Sequence, residues 1–193
     1  YHSARDYSNE NPISLEGSGV EILFTSFQDF NDFEIHSFEP SPELKHEVLS
    51  VAESCKLKNF QFHEEAISNI DGESNFYLAP NKIGSSLETG KVNIDLNSKV
   101  VVKTIDLAKW ISNNFVKEDY IILKLDIEGS EYKVVKHLFD SKVIEYINEL
   151  YLELHLDNKI KIDRSLRDEV NKLISECTTT KIYTDKHKGL NFI

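Results

Sequence analysis

Asp126, Glu128 and Glu131 place three carboxylates within six positions, directly behind the apolar run Ile121-Ile-Leu-Lys-Leu125. Carboxylates so placed can take a proton from a weak nucleophile such as a hydroxyl, balance a cationic group, or hold a hard cation through oxygen. The run before them has the length and apolar character of a buried parallel strand. The run after them, Tyr132 to Phe139, has the spacing of an amphipathic helix. Open α/β sheets bind ligands at the carboxyl ends of their strands, which is where this loop falls.

A second run, Leu150-Tyr-Leu-Glu-Leu-His-Leu156, alternates so that four leucines share one face and Tyr151, Glu153 and His155 the other. Lys124 and Asp126 share a face of the neighbouring strand by the same rule. Asp126 and His155 are therefore the candidate bases, with Glu128 orienting or replacing them. A strand-end histidine held by hydrogen bonds is the alternative for His155, and loop structure the alternative for Glu128. Lys124 and Glu131 suit an internal ion pair that pins the loop. A divalent cation on Asp126 with Glu128 or Glu153 lacks any recognisable ligand spacing, so no metal is assigned.

Nearer the amino end, Ile13-Ser-Leu15 reads as a short strand followed by Glu16-Gly-Ser-Gly19, and Glu21 to Phe27 as a helix. Glycines after a first strand let the backbone approach a ligand closely. Glu39 closes the next strand, Phe33 to Phe38, and lies 23 residues beyond Glu16. An acid at that position grips ribose hydroxyls, so the pair points to a nucleoside-containing cofactor. Gly17-Ser-Gly19-Val-Glu-Ile22 lacks the third glycine of a nicotinamide fingerprint, and Glu21 would face a pyrophosphate. Acids around a cationic sulfonium are helpful, which favours S-adenosylmethionine.

The elements that must carry these groups alternate. Helices are expected over Glu43 to Lys56 with Ser41 as cap, Ile105 to Phe115, about 130–140 and Ser165 to Cys177. Strands are expected over Asn59 to Ser68, Asn75 to Leu78, Lys99 to Thr104, 121–127, Leu150 to Leu156 and Lys181 to Thr184. That pattern predicts an α/β sandwich with a largely parallel sheet. Residues 1–12 read as a polar arm, either frayed or closing over a ligand, and 13–193 as one domain. Ser85 and Ser86, with Lys82, border an acceptor pocket or form a plain polar loop.

The 193 residues carry 33 acidic and 22 basic side chains, a formal net charge of -11. That balance argues against a nucleic-acid-coating surface, which needs clustered Lys and Arg. No apolar run is long enough to span a membrane. Cys55 and Cys177 are too few for a disulfide framework; they are expected as buried thiols in a reducing compartment, the cytoplasm. The chain contains no Met, which suggests a processed chain or one domain of a larger glycan-building enzyme.

Phe38-Glu-Pro-Ser-Pro42, Glu65-Ala-Ile-Ser68, Asp71-Gly72, Ser85-Ser-Leu87, Val102-Lys-Thr-Ile-Asp106 and Lys124-Leu-Asp-Ile-Glu-Gly-Ser-Glu131 occur in one order. Together they resemble the FkbM-type S-adenosylmethionine-dependent methyltransferases. The resemblance covers roughly residues 13–156. It implies a Rossmann-like class I sandwich, mostly a parallel seven-strand sheet with helices on both faces, and O-methylation of a hydroxyl on a sugar or glycan. By position, Glu16, Gly17, Ser18 and Gly19 resemble the cofactor loop. Glu39 with Pro40 resembles the ribose-binding turn, Glu65 and Ala66 the segment beside the adenine, and Asp126 the acid beside the methionine part. The family usually shows Asp-x-Gly-Ala-Asn-x-Gly in the first of these motifs, and the chain departs from it there. That contracted loop motivates a rival reading, a catalytically inactive methyltransferase-like scaffold.

Overall fold

A computed structural model describes residues 33–80, 84–92, 94–155 and 160–184. The glycine loop Glu16 to Gly19, the strand and helix expected beside it, the amino-terminal arm and Lys82 lie outside the described residues. Along the described chain run β1 (Ile35–Phe38), α1 (Lys45–Ser54), β2 (Phe60–His63), β3 (Ala66–Ser68), β4 (Gly72–Tyr77) and β5 (Lys99–Asp106). Then come α2 (Leu107–Asn114), β6 (Ile121–Leu125), α3 (Glu131–Asp140), a 3-10 turn (Val143–Tyr146), β7 (Ile147–Leu152), α4 (Arg164–Glu176) and β8 (Lys181–Thr184).

The mixed α/β class is as expected, but the described strands form three small sheets rather than one of seven strands. β1 and β2 pair in parallel; β6, β7 and β8 form a parallel sheet with β7 central; β5 sits between parallel β3 and antiparallel β4. The single strand expected over Asn59 to Ser68 divides at Glu64-Glu65. Phe60 and Phe62 alternate with polar residues on β2, whereas Ala66 and Ile67 are both buried on β3 and belong to a different sheet. β5 runs two residues past its expected end because Asp106 caps α2, its Oδ1 accepting the Lys109 N–H at 3.0 Å. The Asp106 N–H donates to Asp71 Oδ1 (2.9 Å), and Lys109 Nζ reaches Asp71 Oδ2 (2.6 Å). Ser41 does not cap α1: the cap position is Leu44, and the Ser41 N–H instead closes a turn onto Glu39.

The main core lies between the β6–β7–β8 sheet and α2, α3 and α4. Leu125, Leu150 and Leu152 meet Leu107, Ile111, Val134, Val135, Leu138 and Val170, all buried. Tyr132, Val134, Val135 and Leu138 recur at helical spacing, so burial of one stripe explains why this segment is a helix and how it is turned. Both cysteines are free; Cys177 is half-buried, and Cys55 is exposed because α1 presents Val48 and Ala52 to the interior instead. No helix among the described residues is long and apolar enough to cross a membrane.

Between β6 and α3 the chain turns through two left-handed residues, Glu128 (φ 56°) and Gly129 (φ 112°). A Cβ on Gly129 would lie 2.0 Å from Ile160 Cδ1. Backbone conformation and close approach therefore both require glycine here. Gly129→Ala is expected to cost roughly 2–4 kcal/mol in urea unfolding, the sum of a strained backbone and an overpacked contact. Ile160→Ala in the same chain should recover part of that loss, because it removes the clash and leaves the strain.

Candidate functional site

The β6–α3 loop is built around a fully buried carboxylate. Glu131, the first residue of α3, turns back over the loop: its Oε1 accepts the Ile127 N–H and its Oε2 the Gly129 N–H, each at 2.9 Å. Its third partner is His155 Nδ1, 3.0 Å from Oε1. The other ring nitrogen, Nε2, lies 3.1 Å from Glu128 Oε2. Glu128 in turn pairs with Lys91, whose Nζ also donates to the Gly84 carbonyl at 2.5 Å. Two anions and two cations thus close a neutral network in which each buried charge has a partner of opposite sign.

Electrostatics follow from that arrangement. Burial works against a charged His155, but the hydrogen bonds and charges of Glu128 and Glu131 outweigh it and push its pKa up to about 10. Burial alone would raise Glu128; hydrogen bonds from His155 and Lys91 hold it down at about 2. His155 is therefore an imidazolium at neutral pH with both N–H groups committed. It has no lone pair with which to take a hydroxyl proton, so the geometry disfavours it as a base. The ion pair expected between Lys124 and Glu131 does not form. Lys124 Nζ lies 3.3 Å from Asp126 Oδ2 and Glu131 turns to His155, although Glu131 does pin the loop.

The segment 84–91 clamps the loop from outside. Ser86 Oγ donates to the Glu128 carbonyl (2.7 Å) and accepts the Glu88 N–H (2.9 Å). Glu88 receives Ser130 Oγ at 3.0 Å and Lys133 Nζ at 2.6 Å. Ser86 is fully buried, so its hydroxyl holds structure rather than bordering an open pocket, and Ser85 Oγ accepts the Ala79 N–H. Asp126, Glu131 and His155 bring one ligand atom each within 4.8 Å of one another. Glu131 and His155 spend theirs on each other and on the loop.

Asp126, Glu128 and His155 are thus together, and of the three only Asp126 takes no part in the network that holds the loop. A second group gathers at the ends of β1 and β2. The Glu39 N–H donates to the His63 carbonyl (3.0 Å), carrying the β1–β2 ladder one step further, and Glu39 Oε1 accepts the Ser41 N–H at 2.7 Å. Burial, partly offset by that hydrogen bond, pushes the Glu39 carboxyl up to about 7. Pro40, Phe62, His63, Glu65 and Val102 line an open cleft of about 610 Å³. Ala66 is buried against Phe76 and Val102.

Beneath Glu39, His63 stacks on Phe38 (ring centroids 4.3 Å apart) and meets Trp110 edge-on. His36 Nδ1 and His63 Nε2 lie 2.9 Å apart, and burial lowers both histidines, consistent with a neutral pair sharing one hydrogen bond. Neither this cluster nor Lys91 and Glu88 stood out in the sequence. They carry no periodicity, and the Lys91–Glu128 contact joins residues 37 positions apart.

A family model described as "Methyltransferase FkbM domain" matches residues 15–179. No curated protein and no solved structure matches the chain.

Removing the central cation should be costly. His155→Ala is expected to lose about 3–5 kcal/mol, because Glu128 and Glu131 would remain buried and short of a partner. The pH dependence has a definite sign. His155 is raised on folding, so its contribution is complete below about pH 6.5 and is lost as pH climbs toward 10. Glu128 is lowered, so its contribution is complete above about pH 4.5 and is lost as pH falls toward 2. Urea unfolding between pH 6.5 and 10 should show a decline in the wild type that is absent from His155→Gln.

Proposed function

The chain belongs to the FkbM methyltransferase family, and from that premise we propose that it transfers a methyl group from S-adenosylmethionine to a hydroxyl of a saccharide or glycoconjugate. One observation carries the reading: Glu128 and Glu131 are consumed by His155, Lys91 and the loop backbone, while Asp126, ion-paired with Lys124 at the carboxyl end of β6, takes no part in holding the loop. The described residues fit the donor. A carboxylate at the end of β1 suits a vicinal diol, and Glu39 has Oε1 fixed by the Ser41 N–H in that position. A carboxylate at the end of β6 suits a sulfonium cation better than a pyrophosphate.

In this reading Glu39, with Pro40, holds the ribose, and Glu65 and Ala66 border the adenine. Glu16, Gly17, Ser18 and Gly19 complete the cofactor site. Bound there, the cofactor would supply an electrophilic methyl group for transfer to the acceptor oxygen. Asp126 orients the hydroxyl and takes its proton. His155, already charged, keeps Glu128 and Glu131 in place and so fixes the loop that presents Asp126. Alignment supplies much of the rate in an in-line displacement, which is why a rigid loop matters. The reading includes one Rossmann-like sheet of which β1–β2 and β6–β7–β8 are parts. It also includes action in the cytoplasm, supported by two free thiols.

Incubation with S-adenosylmethionine and a panel of glycosides should give products heavier by one methyl group. Asp126→Ala should lower turnover by about 10²–10⁴-fold, the usual worth of a positioned base; full activity in that variant would remove Asp126 from the role. Absence of any thermal shift with S-adenosylmethionine or S-adenosylhomocysteine would favour a scaffold that has lost its cofactor. Glu39 gives a second test. A diol bonds best to the ionised carboxylate, so calorimetric affinity for S-adenosylhomocysteine should fall as pH drops below about 7. Glu39→Gln should bind roughly tenfold more weakly and lose that dependence.

A further inference from the structure

Leu125 and Leu152 are partners at the carboxyl ends of β6 and β7, and the ladder goes one step further: the Glu153 N–H donates to the Leu125 carbonyl at 3.0 Å. The next residues, Asp126 and Glu153, therefore leave the two strands side by side. By alternation they lie on the face of the preceding pair, Lys124 and Tyr151. Neighbouring places on one face of two paired strands set their carboxyl groups side by side. Two carboxylates so close repel, and a proton held by one of them turns that repulsion into a hydrogen bond.

We propose that Asp126 and Glu153 work as a pair that holds one proton between them, with Lys124 keeping the negative charge on Asp126 and Glu153 aiming it. Lys124 Nζ, on a side chain 7 % exposed, lies 3.3 Å from Asp126 Oδ2. The groups facing the pair are Lys124 from β6, His155 beyond β7 and Glu131 from α3, with Glu128 on the other ring nitrogen of His155. His155 spends both N–H groups on those two glutamates, so Lys124 is the cation that selects the charged member. Burial, the neighbouring Asp126 charge and the hydrogen bond together hold the Glu153 carboxyl above the usual carboxylate range.

The role in catalysis rests on the methyl transfer proposed above; the shared proton does not. As the acceptor oxygen gains its methyl group, the hydroxyl proton passes to Asp126, and the pair then carries two protons and no charge. One proton leaves to water, restoring the singly protonated pair. Glu153 is a positioning residue in this scheme: it touches Asp126 and not the reacting oxygen.

Carbon-13 NMR of the side-chain carboxyls tests the shared proton in the wild-type protein without cofactor. The expected result is a two-step titration seen at both residues, with Glu153 deprotonating above the ordinary range. Asp126→Asn should bring Glu153 back down toward that range, and Glu153→Gln, close to isosteric, should leave Asp126 with a single step. A wild-type Glu153 that titrates ordinarily, or one indifferent to Asp126→Asn, overturns the pair. For the working role, Glu153→Ala should lower kcat roughly tenfold while the affinity for S-adenosylhomocysteine stays within about twofold, and Glu153→Gln should recover much of the loss. Unchanged kcat in Glu153→Ala, over a proven shared proton, overturns that role. Absence of methyl transfer by the wild type with the two-step titration intact overturns the methyltransferase reading and leaves the shared proton established.

Discussion

Glu131 carries a carboxylate with no exposure to solvent, and much of the candidate site is arranged to satisfy it. A buried anion needs hydrogen bonds and a counter-charge, or it neutralises or unfolds its surroundings. Here two loop N–H groups supply the hydrogen bonds and His155 the charge. His155 then needs a second anion for its other nitrogen, which is Glu128, and Glu128 needs Lys91. Each partner fixes the next, and the chain of partners ties the β6–α3 loop to residues beyond β7 and to the segment 84–91. The two left-handed residues in the loop, one of them not glycine, are held by this set of contacts.

The same constraint sorts acids that look alike in sequence. Glu128 and Glu131 are spent on holding the loop, whereas Asp126 meets Lys124 and Glu153 at the strand end. A methyl transfer to oxygen asks for a carboxylate that stays ionised, stays in place and is not the group holding the fold together. Separating these duties lets the site remain rigid while one acid is left for chemistry. Glu39, at the end of β1 and close to half-ionised at neutral pH, fits the different duty of gripping a diol.

What was legible in the sequence was local. The apolar run at 121–125, the amphipathic stripe of α3 and the alternation at Leu150 and Leu152 each follow from a short-range period, and the structure keeps all three. Less legible was anything set by partners far along the chain. Asn59 to Ser68 read as one strand because nothing local says that Ala66 and Ile67 belong to β5 while Phe60 to His63 belong to β1. His155 read as a candidate base because its two carboxylate partners arrive from a loop 24 and 27 positions away. Ser86 read equally as a pocket border or a plain polar loop because its hydrogen bond to the Glu128 carbonyl spans 42 positions. Glu153 was visible only as an oxygen donor, since its relation to Asp126 depends on the register of two parallel strands.

A structure of the chain with S-adenosylhomocysteine bound tests the account most directly. The ribose hydroxyls should lie on the Glu39 carboxylate and the sulfur on the Asp126 side of the β6–α3 loop, with Glu128, His155 and Glu131 still bonded to one another. A ligand seated away from both Glu39 and Asp126, or one that draws His155 out of its two carboxylates to reach the sulfur, would contradict it.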